Sequence, residues 1–145
     1  MILKKIALVT ATLVVSGLPV LANALSLVTQ NDTNFPSTVK ITTSIKKLCS
    51  SQIPNGVTPP HKSLVTPQSN VNMICMGSPN HHCMANLYAS ANCGDDAGVY
   101  ITTLGINQDT LFVDQPGAVT PGYKVTVINT AGVGSKVIVS QTTTW

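Results

Sequence analysis

Arginine and glutamate are absent from this chain of 145 residues, and its side-chain acids are five aspartates, Asp32, Asp95, Asp96, Asp109 and Asp114. The first absence removes the planar fork that grips phosphate and carboxylate bidentately. The second removes a common general-acid carboxylate. Imidazoles are limited to His61, His81 and His82, so a catalytic reading has few residues to draw on. Aromatics are also scarce, with two Phe, three Tyr and one Trp. That scarcity argues against an outer-membrane barrel, which needs at least about eight strands of roughly 9–11 residues and girdles of aromatic side chains, even though the chain ends on Trp145.

What the chain does have begins with an export signal. Met1 to Lys5 form a short positive segment, Ile6 to Leu21 run apolar with breaks at Gly17 and Pro19, and Ala22-Asn23-Ala24 places small residues at a cleavage site. The order is that of a cleavable signal peptide over residues 1–24, of bacterial type. A membrane span needs about 20 continuous apolar residues, so no stable span is expected after cleavage. No cysteine stands at the cut to take a lipid. The mature protein is therefore expected in the periplasm or outside the cell.

Of the eight basic side chains Lys4 and Lys5 belong to the leader, so the overall charge of +3 is mostly a targeting charge. The remaining lysines, at 40, 46, 47, 62, 124 and 136, are scattered. A nucleic-acid binder would concentrate them into a basic footprint, and that class is discounted.

Past a lead-in segment at 25–36, in which Leu25 to Gln30 suggest a short turn, the chain is long enough for a single domain over 37–145. Period-2 alternation runs from Thr38 to Ile45, Asn70 to Met76, Cys83 to Ala91, Gly98 to Leu104, Tyr123 to Asn129 and Lys136 to Gln141, with a shorter candidate at Thr110 to Val113. Turn formers separate these runs, as in Gly77-Ser78-Pro79-Asn80 and Pro121-Gly122. The pattern predicts an all-β fold, a small antiparallel β-sandwich or open barrel of about six to seven short strands. No helical period is legible past the leader. Residues 50–69, rich in Pro, Ser and Thr, read as a long loop without regular structure.

Cys49, Cys75, Cys83 and Cys93 all lie in the exported part, and an even number in a small extracytoplasmic domain signals a disulfide framework. If Cys83 to Ala91 is extended, Cys83 and Cys93 stand about 30 Å apart at roughly 3.3 Å per residue, beyond the reach of about 7 Å between bridged Cα atoms. A hairpin across Gly77 to Asn80 would instead join Cys75 to Cys83, leaving Cys49 for Cys93. No Cys-x-x-Cys pair suggests a redox site.

Three constellations invite chemistry. Met73, Cys75, Met76, His81, His82, Cys83 and Met84 crowd one short stretch. With the cysteines oxidised, Met76, Met84 and one of His81 or His82 would be the ligands of a soft ion such as copper. Consecutive histidines on a strand point to opposite faces, which weakens a site using both. The loop Asn92 to Gly98 holds Asp95 and Asp96 but lacks the alternating spacing of a calcium loop, and reads as a turn. A hydrolase would need His and Asp to meet a Ser or Thr in space, and no Gly-x-Ser-x-Gly elbow is present. Asn31-Asp32-Thr33 matches a glycosylation sequon, a three-residue pattern that chance often supplies.

The reading is a disulfide-linked exported β domain that binds a protein or glycan partner, with no catalysis and no cofactor. A copper-binding protein is the alternative, and a secreted hydrolase a further one. The loop around Pro59-Pro60-His61 and the Gly77 to His82 turn are the surfaces to inspect first, since rigid β scaffolds usually carry function on exposed loops.

Overall fold

Alternation of inward and outward side chains builds eight strands in the computed structural model, which describes residues 24–43 and 47–142. The leader up to Asn23 and the terminal Trp145 lie outside the described residues. The strands are β1 (Ser26–Asp32), β2 (Ser37–Thr42), β3 (Lys47–Cys49), β4 (Lys62–Pro67), β5 (His82–Ala89), β6 (Val99–Asn107), β7 (Tyr123–Thr130) and β8 (Gly134–Gln141), with one helix, α1 (Gln68–Ile74). They form two four-stranded sheets, ordered β4-β1-β8-β7 and β3-β2-β5-β6.

On β5, Cys83, Ala85, Leu87 and Ala89 are buried while His82, Met84, Asn86 and Tyr88 face outward, the period a half-buried strand requires. Leu87, Ile101, Leu104 and Ile106 of this sheet share one core with Val127, Val137 and Val139 of the other. Burying each such aliphatic side chain is worth roughly 1.5–3 kcal/mol. Among the described residues the fully buried hydrophobic set contains no aromatic side chain, and Tyr123 packs against its margin. The terminal hairpin pairs Tyr123 with Gln141, Val125 with Val139 and Val127 with Val137.

Several sequence expectations are corrected. Residues 26–32 are a strand, not a lead-in turn, and β1 lies between β4 and β8, antiparallel to the first and parallel to the second. Its inward positions Thr29 and Asn31 are polar and its outward Val28 is apolar, so its alternation is hidden. The supposed loop 50–69 contains a 3₁₀ turn at Ser50–Gln52, a bridge between Ser37 and Thr58, and β4. Strand β4 is an edge, where Lys62 and Pro67 blunt further pairing.

Residues 70–76 are not a strand. Helix α1 starts after Pro67 and turns Val71, Ile74 and Cys75 into the core, the i, i+3, i+4 stripe of an amphipathic helix. Over so short a window Val71, Met73 and Cys75 satisfy a strand's period equally well. Thr110 to Val113 adds no strand, only a bridge from Val113 to Ile106. The connection from β6 to β7 instead runs along the β6 edge, bonding Asp114 N–H to the Gly105 carbonyl and Thr120 N–H to the Ile101 carbonyl at 2.8 and 2.9 Å. The Asn129 side chain on β7 grips both backbone groups of Val113 at 2.9 Å.

Two disulfides complete the frame. Cys49–Cys93 ties the end of β3 to the loop after β5, with Cα atoms 6.0 Å apart. Cys75–Cys83, at 5.7 Å, ties the C-terminal end of α1 to β5. A helix and a 3₁₀ turn at Pro79–His81, in place of the expected hairpin, deliver Cys75 to its partner.

Candidate functional site

The two adjacent histidines singled out from the sequence are engaged separately. All four cysteines are bridged, and Met76 and Met84 are exposed. The adjacent histidines serve different carboxylates: His81 Nδ1 lies 3.2 Å from Asp109 Oδ1, and His82 Nε2 lies 2.9 Å from Asp114 Oδ2. Among the described residues, no three His, Cys, Asp or Glu side chains come together as metal ligands do. The third imidazole, at His61 beyond Pro59-Pro60, pairs with Asn34 Oδ1 at 2.9 Å.

The loop Asn92 to Gly98 is organised from within. The Ser90 hydroxyl donates to Asp96 Oδ1, the Ala91 N–H donates to Asp96 Oδ2 at 3.3 Å, and the Gly94 N–H donates to the Ser90 oxygen at 2.8 Å. The Ser90 hydroxyl foremost, with the Ala91 N–H, holds the Asp96 carboxyl below the usual carboxylate range. The sequon asparagine is likewise structural. Asn31 is fully buried, and its amide donates to the carbonyls of Phe35, Thr58 and Pro59 at 2.7, 3.0 and 3.3 Å.

The arrangement best suited to recognition lies where the sequence showed least, on the outer face of the β3-β2-β5-β6 sheet. Tyr88 on β5 and Tyr100 on β6 pack edge to face, ring centroids 5.8 Å apart. Lys40 Nζ stands 5.9 Å over the Tyr88 ring. The Tyr100 hydroxyl meets Thr103 Oγ1 at 2.6 Å, and the Thr103 hydroxyl donates to Asn86 Oδ1 at 2.8 Å. Further along the face the His82–Asp114 pair rests on Gly105, where a Cβ would collide with both side chains. A side chain at this point would push the pair aside. The signal available in the sequence was modest: all three tyrosines stand in strand segments, and Tyr88 is at the parity of the outward Asn86.

These features define a disulfide-bridged β-sandwich with a built polar and aromatic sheet face. A family profile described as T2SS substrate NttC matches residues 1–136, and the chain belongs to that family. It is thus a secreted protein of the type II secretion substrate class, exported from the cell. The crystal structure of the Legionella pneumophila type II secretion system substrate NttC is similar at a TM-score of 0.58 and 20% identity, covering 82% of this chain and 97% of that one. That likeness supports the two-sheet fold. Among curated proteins none matches the chain.

Proposed function

We propose that this protein is a non-catalytic binding domain, released outside the cell by type II secretion, that engages a glycan through the outer face of the β3-β2-β5-β6 sheet. One observation carries the reading: Lys40, Asn86, Tyr88, Tyr100 and Thr103 form a connected, partly exposed network on the outer face of one sheet. Aromatic rings offer broad apolar contact to the C–H faces of a sugar while a polar handle stays wet. The amide, hydroxyl and ammonium groups beside them bond to sugar hydroxyls. Because these side chains already restrain one another, little rotamer freedom is lost on binding.

A protein partner fits less well. Protein interfaces are built around a fully buried apolar centre, whereas none of these five residues is aliphatic. The non-catalytic part is supported by the imidazoles, whose ring contacts are Asp109, Asp114 and Asn34. Among the described residues no Ser or Thr hydroxyl is bonded to a histidine ring, as a nucleophile activated by a base would be.

The test is a glycan-array screen of the mature, disulfide-bonded protein beside its Tyr100→Ala and Tyr88→Ala variants. Saturable binding to a glycan that both folded variants lose by tenfold or more is expected. Binding to no glycan, or binding untouched by both substitutions, overturns the assignment. Mass spectrometry of the bound glycan after long incubation checks the rest, and release of a cleaved product overturns the non-catalytic reading.

A further inference from the structure

A cleft of about 210 Å³ opens at one end of the sandwich, between the residues that lead into β2, the end of β5, and the starts of β6 and β7. Its walls include Phe35, Pro36, Val99 and Tyr123, with Phe35 48% and Val99 41% exposed. Asp96 is the one charged residue among those that line it. The cleft shares no residue with the tyrosine network, and the inference drawn from it does not depend on the glycan reading.

The Asp96 carboxylate is held by neutral donors, the Ser90 hydroxyl and the Ala91 N–H. The ion pairs among the described residues are His81–Asp109 and His82–Asp114, so no cationic side chain balances Asp96. An unbalanced anion beside aromatic and apolar walls attracts a cation, by charge and by the negative faces of the rings. The walls also select the kind of cation. A primary ammonium carries three N–H donors that each need an acceptor, and the side-chain acceptors of the lining are few: the Asp96 carboxylate, the Tyr123 hydroxyl and the Ser90 oxygen, which already accepts from Asn92 and Gly94 N–H. A quaternary ammonium needs no hydrogen bonds, and aromatic surfaces favour it.

We infer that this cleft binds a quaternary ammonium group, with Asp96 as counter-charge and Phe35 and Tyr123 as aromatic walls. The group could come from free choline or from the choline headgroup of a lipid.

The experiment is a two-dimensional NMR titration of the mature, disulfide-bonded protein with choline chloride and, separately, with its uncharged isostere 3,3-dimethylbutan-1-ol. Saturable shifts at Gly94 to Val99 and at Tyr123 are expected with choline alone. Affinity should fall tenfold or more in Asp96→Asn. Since that change touches the loop's own hydrogen bonds, Phe35→Ala serves as an independent variant at an exposed position and should weaken choline several-fold. Absence of saturable shifts, an equal response to the uncharged isostere, or full affinity in both variants overturns the site. Sedimentation with phosphatidylcholine vesicles separates the sources. Co-sedimentation lost in Asp96→Asn assigns a lipid headgroup, and choline binding without co-sedimentation assigns the free cation; both sustain the site.

Discussion

Tyr100 and Thr103 stand on the same face of one strand, their side-chain oxygens 2.6 Å apart, although residues three apart in a regular strand point to opposite faces. A β-bulge reconciles the two. Leu87 of β5 faces Thr102 and Tyr88 faces Tyr100, so Ile101 is an extra residue without a partner. Ile101 and Thr102 are consequently both buried, and the outward parity changes between Tyr100 and Thr103. Bulges commonly re-aim side chains in this way near functional surfaces. Here the bulge closes the chain from Tyr100 through Thr103 to Asn86.

That relationship makes Thr103→Val informative. The substitution keeps the branched shape but removes the hydroxyl shared by Tyr100 and Asn86. Stability to urea is expected to fall by about 0.5–1.5 kcal/mol, the net worth of an ordinary hydrogen bond. Affinity for the glycan found in the array screen should fall further than that of a variant away from the face. Unchanged affinity would show that the network is not needed for recognition.

Gly105→Ala should be destabilising by about 1 kcal/mol or less, the worth of an exposed ion pair, because the new Cβ pushes apart the ends of the Asp114 and His82 side chains. Adding His82→Ala should restore part of the loss. Denaturation midpoints of the single and double variants decide it, and a double variant no more stable than Gly105→Ala would locate the strain elsewhere.

The two disulfides should not be equivalent. Cys49–Cys93 closes a separation of 44 residues and Cys75–Cys83 one of 8. In the chain-entropy account these correspond to about 4 and about 2.5 kcal/mol at 25 °C. Paired Cys→Ala variants, compared by urea unfolding, are expected to show the larger loss for the long bridge. The reverse order would point to native packing around the buried Cys75 and Cys83 as the dominant effect.

Asn31→Ala is expected to cost roughly 1–3 kcal/mol, since it removes the acceptor of the buried Thr33 N–H and one of the two donors to the Phe35 and Thr58 carbonyls, which keep only Thr33 and Ser37. Thermal unfolding measures this. The same burial predicts that the folded protein resists glycosylation at Asn31 by a purified oligosaccharyltransferase, with modification appearing only after unfolding.

Acid should act in part through Asp96, whose pKa is lowered from 3.8 by the Ser90 hydrogen bond foremost. A carboxyl with a depressed folded-state pKa contributes stability that is fully present above its unfolded value and is lost as pH falls through its folded value. Urea midpoints of the native protein should therefore decline below about pH 4 more steeply than those of Asp96→Asn. Identical slopes would show that the loop does not discriminate the ionised form. Because the carboxylate is exposed, salt should reduce the difference.

Strand alternation was readable wherever one face meets the core and the other meets water. It therefore located β2, β5, β6 and the β7–β8 hairpin from side-chain polarity alone. It failed at β1, where Thr29 and Asn31 point inward, because their inward hydrogen bonding is a tertiary matter. It also failed at α1, where Val71, Ile74 and Cys75 fit a helix while Val71, Met73 and Cys75 fit a strand in the same short window. Conversely, His81 and His82, adjacent in sequence, turn to different carboxylates, Asp109 and Asp114, because nearness in sequence says nothing of where side chains turn.

By itself the sequence determined that the domain is all-β and disulfide-bonded, because period-2 patterning and cysteine spacing are local properties limited by chain reach. Only the tertiary structure decided which side chains meet. The bulge at Ile101, the parallel docking of β1 on β8 and the cleft around Asp96 depend on register between segments far apart in the chain, and register is set by packing across the two sheets rather than by any one segment's composition.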